Sequence, residues 1–466
     1  MSDEEVRGSR LRRAATMTGT AAGIAAREAA ARAITLGGGS DTRKAAASKQ
    51  QLKSAHALVK VLGNMRGAAM KVGQTLSAVD LGLVPEEIRP QFQEILASLQ
   101  HDAKPVSFRT ITKVIEEDLG EKVKDNFADF DPEPIAAASI GQVHRAVLNE
   151  DGREVAVKVQ YPGIAEAIHA DMQNLRLGLK LLSVIAPGID TGAIAREIRE
   201  RISQELDYEL EATNHRAMAR AYKGHPFIVV PDVVTSLCRE RVLVSEFVDG
   251  KRFGEIRTET DQDARNRIGE ILIRFYINGP VRHRLLNGDP HPGNSLFLAD
   301  GRVAFLDFGF FKTLSDAEVR QLVASTRATY EADADALFDV ITGLGALPPD
   351  RRLAEPFLEN YQAIFGWLLV DREVTVDGSI TGAMMRSYTE MRRLNGFDAL
   401  TLPAEHFVLM RAVMLLIGLL GQLQATGRWL DVAREWLFGQ EPTTELGARE
   451  AEHFVARPYP TAKALA

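Results

Sequence analysis

The 466-residue sequence predicts an α+β fold of two lobes, a small strand-rich unit followed by a larger helical one. Three observations carry this expectation. Ile135–Ala138, Gln142–Leu148 and Glu154–Gln160 are short strand-like runs, separated by Ser139–Gly141 and by the hairpin signal Glu150-Asp151-Gly152. Two more runs of the same character follow at Ile228–Val234 and Arg241–Phe247. Beyond Arg265 the pattern is helical except for the short segment Ser295–Phe308. A small sheet followed by a helical body suggests a cleft between two lobes.

In order along the chain, residues 1–50 are rich in Ala, Arg, Gly and Thr, lack the large apolar side chains of a core, and predict a flexible extension. Arg7, Arg10, Arg12 and Arg13 would suit an anionic membrane surface, without the apolar residues that firm insertion needs. Residues 51–105 form a helical addition, with Leu52, Ala55, Leu58, Leu62, Met65, Met70 and Leu76 at roughly helical spacing. The small lobe spans 106–250 and includes a helical stretch from about Ile164, broken at Pro187-Gly188 and resuming through Asp190–Lys223. The helical lobe spans 251–466. Its longest apolar run, Phe407–Leu420, contains Arg411, falls short of the roughly 20 residues a membrane span needs, and reads as a buried helix.

Composition removes several function classes. Apolar content of 45% and charged content of 26% are those of a folding, globular chain. A net charge of -7 argues against a nucleic-acid binder. One cysteine, Cys238, leaves no disulfide framework or cysteine-rich metal site and fits a reducing compartment. No secretory pattern opens the chain, so a cytoplasmic location is expected, with peripheral contact at an inner membrane surface left open.

The sharpest motif is Gly288-Asp289-Pro290-His291-Pro292-Gly293-Asn294, followed after a short apolar segment by Asp307-Phe308-Gly309. An acid, an amide five residues on, and a second acid before Phe-Gly reproduce the set with which kinases hold metal ions and orient the phosphoryl acceptor. Asp307 and Asn294 supply the oxygen ligands that Mg²⁺ requires, and Asp289 is the orienting acid. Val155-Ala156-Val157-Lys158 places a lysine on a predicted strand, as in the kinase lysine that grips nucleotide phosphates. Its carboxylate partner is sought among Glu205, Asp207, Glu209 and Glu211, with Glu211 preferred. The glycine-rich phosphate loop of ordinary kinases is replaced by Ala136-Ala137-Ala138-Ser139, whose methyl groups restrict backbone approach. The strand-to-helix connection at Glu246-Phe247-Val248 is the expected adenine site. His291, between two prolines, reads as a turn residue, and Trp367, Trp429 and Trp436 as core.

Together these residues resemble the UbiB/AarF group of atypical kinases, from about Leu52 to at least Phe310. Lys71-Val72-Gly73-Gln74 looks like its Lys-x-Gly-Gln motif, Ala136–Ser139 like its alanine-rich loop, and Glu205-Leu206-Asp207 like its Glu-x-Asp motif. The resemblance implies a protein-kinase-like two-lobed fold with a helical N-terminal extension, Mg²⁺-dependent ATP binding, and ATPase or unorthodox kinase activity tied to isoprenoid-quinone or lipid metabolism. It also implies that Lys71, Gly73 and Gln74 lie over the nucleotide, held partly by Glu205 and Asp207, and obstruct a protein substrate. Asn287-Gly288 departs from the small residue, such as Ala, that relatives commonly carry before the first acid. The end at Ala466 leads to the expectation that the C-terminal membrane anchors of some relatives are missing, which still allows peripheral association. A quinone-precursor or lipid ligand and a biosynthetic complex are the implied partners. A true protein kinase, a small-molecule kinase and a catalytically silent scaffold remain the alternative readings.

Overall fold

The computed structural model describes residues 106–138, 140–168, 203, 205–345, 350–393, 404–455 and 459. The extension 1–50, the helical addition 51–105, Lys71, Gly73, Gln74, Ser139 and the break at Pro187-Gly188 lie outside the described residues. The chain divides into two compact units. The first comprises the described residues up to Tyr208 together with Leu237–Leu243; the second comprises Glu209–Ser236 and the residues from Val244 onward.

In the first unit, helix α1 (Phe108–Leu119) buries Ile111, Val114 and Ile115, the i, i+3, i+4 face of an amphipathic helix. Gly120, at φ +75°, ends it by returning its N–H to Glu116 O at 3.0 Å. Helix α2 (Val123–Asn126) leads to strands β1 (Phe127–Phe130), β2 (Ala136–Ala137), β3 (Gly141–Leu148) and β4 (Glu154–Gln160). β1 and β2 pair with β3, β4 pairs with β3 along its full length, and β6 (Val242–Glu246) is the last strand of the sheet. β1 carries no strand signal in the sequence, because its four residues and bulged pairing leave no clean alternation. Val155, Val157 and Val159 are buried, which turns Ala156 and Lys158 to the opposite face.

Gly141 is required where β3 starts. A Cβ there would stand 2.2 Å from Val159 O, so the two strands could not keep their spacing. Gly141→Ala is expected to destabilise the protein by about 2 kcal/mol or more, measurable by urea unfolding; an unchanged midpoint would show that this edge of the sheet yields.

The predicted continuous helix through Glu211 is interrupted at Leu206-Asp207, and α3 (Tyr208–Ala221) starts beyond it. Gln160 Nε2 donates to Leu206 O at 2.8 Å, and Tyr208 N–H donates to Glu240 O at 3.1 Å. Backbone groups that a continuous helix would pair internally are thus satisfied from outside it.

The second unit adds β5 (Ile228–Val229), shortened from the predicted run by Pro231, and β7 (Lys251–Arg252). Helices α4 (Phe253–Glu259) and α5 (Gln262–Ile273) follow, then a π-helical segment Arg274–Asn278 and α6 (Gly279–His283). Strands β8 (Leu285–Asn287), β9 (Ser295–Phe297), β10 (Val303–Phe305) and β11 (Phe311–Thr313) come next. Only one interruption, Ser295–Phe308, is expected here; β8, β11, β12 (Val374–Thr375) and β13 (Thr426–Gly427) are too short for a period-two pattern to register. Helices α7 (Asp316–Glu331), α8 (Ala334–Gly343), α9 (Ala354–Leu369), α10 (Gly378–Arg393), α11 (Ala404–Leu423), α12 (Trp429–Leu437) and α13 (Glu445–His453) complete the unit. Trp367, Trp429 and Trp436 are buried in its core, as expected. Among the described residues no helix is long and apolar enough to cross a membrane.

A buried ion cluster ties the π-helical segment to the last two helices. Arg274 is 0% exposed and uses all five of its N–H donors. Nε donates to Glu270, Nη1 to Glu435 and Glu450, and Nη2 to Glu435 and Thr444, at 2.7–3.0 Å. Burial pushes the Glu435 carboxyl up. Glu450, equally buried, is held below the usual carboxylate range by His225, Arg274 and Arg282.

Candidate functional site

The site grows out of two antiparallel strand pairs. β8 lies beside β11 with Asn287 opposite Phe311, and β9 lies beside β10 with Ser295 opposite Phe305. The connection 288–294 therefore runs alongside the connection 306–310. Gly288 N–H donates to Phe310 O at 2.8 Å, and Leu306 N–H donates to Asn294 O at 3.0 Å. Two acid-bearing turns, separate in sequence, become neighbours through backbone bonds.

Asn287, 3% exposed, joins them a second time. Its Oδ1 accepts from Asp289 N–H at 3.0 Å and its Nδ2 donates to Asp307 O at 2.9 Å. Asn287, in the pair Asn287-Gly288 that precedes the first acid, is thus a side-chain strut between the two acidic turns. Asn294 Nδ2 donates to Asp289 Oδ2 at 3.3 Å and to Asp289 O at 3.2 Å. With its nitrogen so committed, its amide oxygen is the atom that suits a cation. Asp307 is half-buried, and its Oδ1 accepts from Gly309 N–H at 3.1 Å. His291 behaves as a turn residue, its exposed ring accepting from Gly293 N–H at 3.1 Å.

Helix α3 lies against the second turn. Asn214 Nδ2 donates to Phe308 O at 3.3 Å, and the His215 ring packs on buried Phe308 at 4.7 Å. Glu211, 2% exposed, comes close enough that a Cβ on Gly309 would stand 3.7 Å from its Oε2. Tyr276, from the buried π-helical segment, lies close enough to both acids to feel their charge. Burial, then the charges of Asp289 and Asp307, push its phenol far above its ordinary value, so it stays a neutral hydroxyl.

Lys158 lies in the first unit, where Ala136, Val143 and Lys158 are successive partners across β2, β3 and β4 and so share one face of the sheet. Its ammonium sits 4.9 Å from the Tyr208 ring centroid. Ala138 N–H donates to Gly141 O at 2.8 Å, closing the turn that follows Ala136-Ala137. Glu205 and Asp207 are half-buried in the same unit, on the segment that Gln160 holds. In the second unit, Glu246 is tied to Asp232, whose N–H reaches its carboxylate at 3.1 Å and whose carbonyl accepts its N–H at 2.9 Å; Val248 lies half-buried just beyond β6. The second unit thus brings together Asp289, Asn294, Asp307 and Glu211, while Lys158, Ala136–Ala138, Glu205 and Asp207 belong to the first.

Sequence reasoning missed two residues here. Tyr276 carried no signal among other apolar residues. Arg411 did, as the one charge inside the run Phe407–Leu420; its Nη2 donates to Asp289 Oδ1 at 3.3 Å and its Nη1 to Gly288 O at 3.0 Å.

Mg²⁺ is held by one or two carboxylates together with nucleotide phosphates more often than by an all-protein cage. Asp307 and Asn294 fit that mode. Among the described residues no group of three or more His, Cys, Asp or Glu side chains could hold an ion.

Residues 98–341 match the ABC1 atypical kinase-like domain. The chain belongs to the ABC1, or UbiB/AarF, family. Relatives in this family include the atypical kinase COQ8B, mitochondrial, of Rattus norvegicus, 35% identical over 339 residues that cover 72% of this chain and 62% of the relative. Another is the chloroplastic protein ACTIVITY OF BC1 COMPLEX KINASE 8 of Arabidopsis thaliana, 33% identical over 63% of this chain and 39% of that one. This ABC1 chain therefore spans about half the length of the curated relatives it matches. Among solved structures, Rv3197 of Mycobacterium tuberculosis, in complex with erythromycin, is 31% identical, has a TM-score of 0.58, and is matched over 82% of this chain and 95% of its own. The ABC1 protein thus has the kinase-like fold expected from its motifs.

Proposed function

We propose that this ABC1-family chain binds Mg-ATP and hydrolyses it, or transfers its phosphoryl group in an unorthodox kinase reaction, in support of isoprenoid-quinone or lipid metabolism. The observation that supports this best is the joining of Asp289, Asn294 and Asp307 by backbone bonds and by Asn287. Asp307 and Asn294 would hold Mg²⁺, which when bound neutralises charge on the phosphates. Asp289 orients the attacking hydroxyl or water; positioning and charge, not covalent help, carry such transfers. Lys158 grips the phosphates with Glu211 as its carboxylate partner, Ala136–Ser139 close over them, and Glu246–Val248 take the adenine. Lys71, Gly73 and Gln74, with Glu205 and Asp207, restrain access of a protein acceptor. This assignment keeps the division into 1–50, 51–105, 106–250 and 251–466.

The name COQ8B supports a quinone-precursor or lipid ligand, and the erythromycin complex of Rv3197 supports a bulky, largely apolar one. Such ligands suit peripheral contact with a membrane or a biosynthetic complex.

The test is calorimetric titration of the full chain with ATP, with and without Mg²⁺. Mg²⁺ is expected to tighten binding, and Lys158→Met to weaken Mg-ATP binding roughly tenfold, the loss of one charge-assisted contact. No binding of millimolar Mg-ATP by the wild type would refute the proposal.

A further inference from the structure

We infer that Arg411 is a positioning residue for Asp289, a guanidinium carried on a distant helix to fix the acid that orients the phosphoryl acceptor. The inference rests on the role of Asp289 proposed above. Arg411 lies on α11, beyond residue 341 where the family match ends, and is 9% exposed in an otherwise apolar run. A charge so placed is costly unless it is paired. Its fork meets the acidic loop at two points, Nη1 on Gly288 O at 3.0 Å and Nη2 on Asp289 Oδ1 at 3.3 Å. The guanidinium also lies 5.3 Å from the centroid of the Phe310 ring, one residue beyond the Asp307-Phe308-Gly309 motif.

The same helix closes the loop from its other side. A Cβ at Gly288 would stand 2.3 Å from the Phe310 ring and 3.0 Å from Val408 Cγ1, so loop, ring and α11 meet without a gap. The two oxygens of Asp289 are then held separately, Oδ1 by Arg411 and Oδ2 by Asn294 at 3.3 Å. A carboxylate held at both oxygens cannot turn about its Cβ–Cγ bond, which fixes the direction in which it can receive an acceptor hydroxyl or water. Lysine would supply the charge but not the planar fork.

The experiment is steady-state ATP turnover of the full chain with Mg²⁺, comparing wild type with Arg411→Gln, Arg411→Lys, Asp289→Asn and the double variant Asp289→Asn/Arg411→Gln. Arg411→Gln is expected to lower kcat by about 10–100-fold, the range for a residue acting through another, with KM for ATP within about threefold, a pattern that marks loss of an interaction made in the transition state. Arg411→Lys, which keeps the buried charge and so the fold, recovers only part of kcat. The double variant loses no more than Asp289→Asn alone, because Arg411 acts through that carboxylate. Unchanged kcat in Arg411→Gln, a KM that rises as kcat falls, or additive losses in the double variant would overturn the assignment alone. A wild-type chain that neither binds nor turns over Mg-ATP overturns the role of Asp289 and this inference with it.

Discussion

Asp307→Asn is expected to lower Mg²⁺-dependent ATP turnover by about a thousandfold, since a bound cation contributes several kcal/mol to such transfers and, in the site proposed above, this substitution removes the one charged side chain assigned to hold it. The fold should survive. The hydrogen bond that Asp307 Oδ1 accepts from Gly309 N–H at 3.1 Å is one that an asparagine oxygen can still accept. The strut from Asn287 reaches the backbone carbonyl of residue 307, not its side chain. Turnover and the thermal melt, measured on the same preparation, separate the two effects. A variant that melts as the wild type does and keeps even a tenth of its turnover would show that the cation is held elsewhere.

Arg274→Met should have the largest effect on stability, about 3–5 kcal/mol, because it leaves buried acids without their counter-ion. Methionine fills much of the space, so the loss reports charge and not a cavity. Two fully buried carboxylates, Glu435 and Glu450, depend on the same guanidinium. Arg282, 3.8 Å from Glu450, compensates only part of it. Gly447 shows how tightly the cluster is drawn: a Cβ there would stand 2.6 Å from both Arg274 Nη2 and Glu435 Oε1. Urea unfolding monitored by tryptophan fluorescence measures the loss, and a change under about 1 kcal/mol would mean that the acids take up protons or water at little cost.

What the sequence made legible was whatever its neighbours in sequence determine. The runs that became β3 and β4 alternate cleanly, and Lys158 could be placed on the second of them. Asp289, Asn294 and Asp307 were readable because an acid, an amide and a second acid stand at short fixed separations. Their mutual support was not readable. Asn287 gave no sign of spanning two turns, since its second partner lies 20 residues on and is a backbone atom. Arg411 was visible as an oddity in an apolar run, but a single charge there names no partner, and its own lies 122 residues earlier. The break at Leu206-Asp207 escaped because helical propensity is a local quantity, whereas the bonds that end the helix come from Gln160 and Glu240.

The reach of Arg274 and Arg411 also decides how much of this chain can be moved as one working piece. The recognisable family segment stops at residue 341, inside α8, as though a complete module ended there. Its chemistry does not end there. The guanidinium on Asp289 comes from α11, and two of the three carboxylates around Arg274, Glu435 and Glu450, come from α12 and α13. A fragment cut to the family boundary would keep every residue of the acid–amide–acid set and lose the charges that hold it. Grafting this site into another protein, or trimming this one to its minimum, has to respect the ion pairs and not the motif.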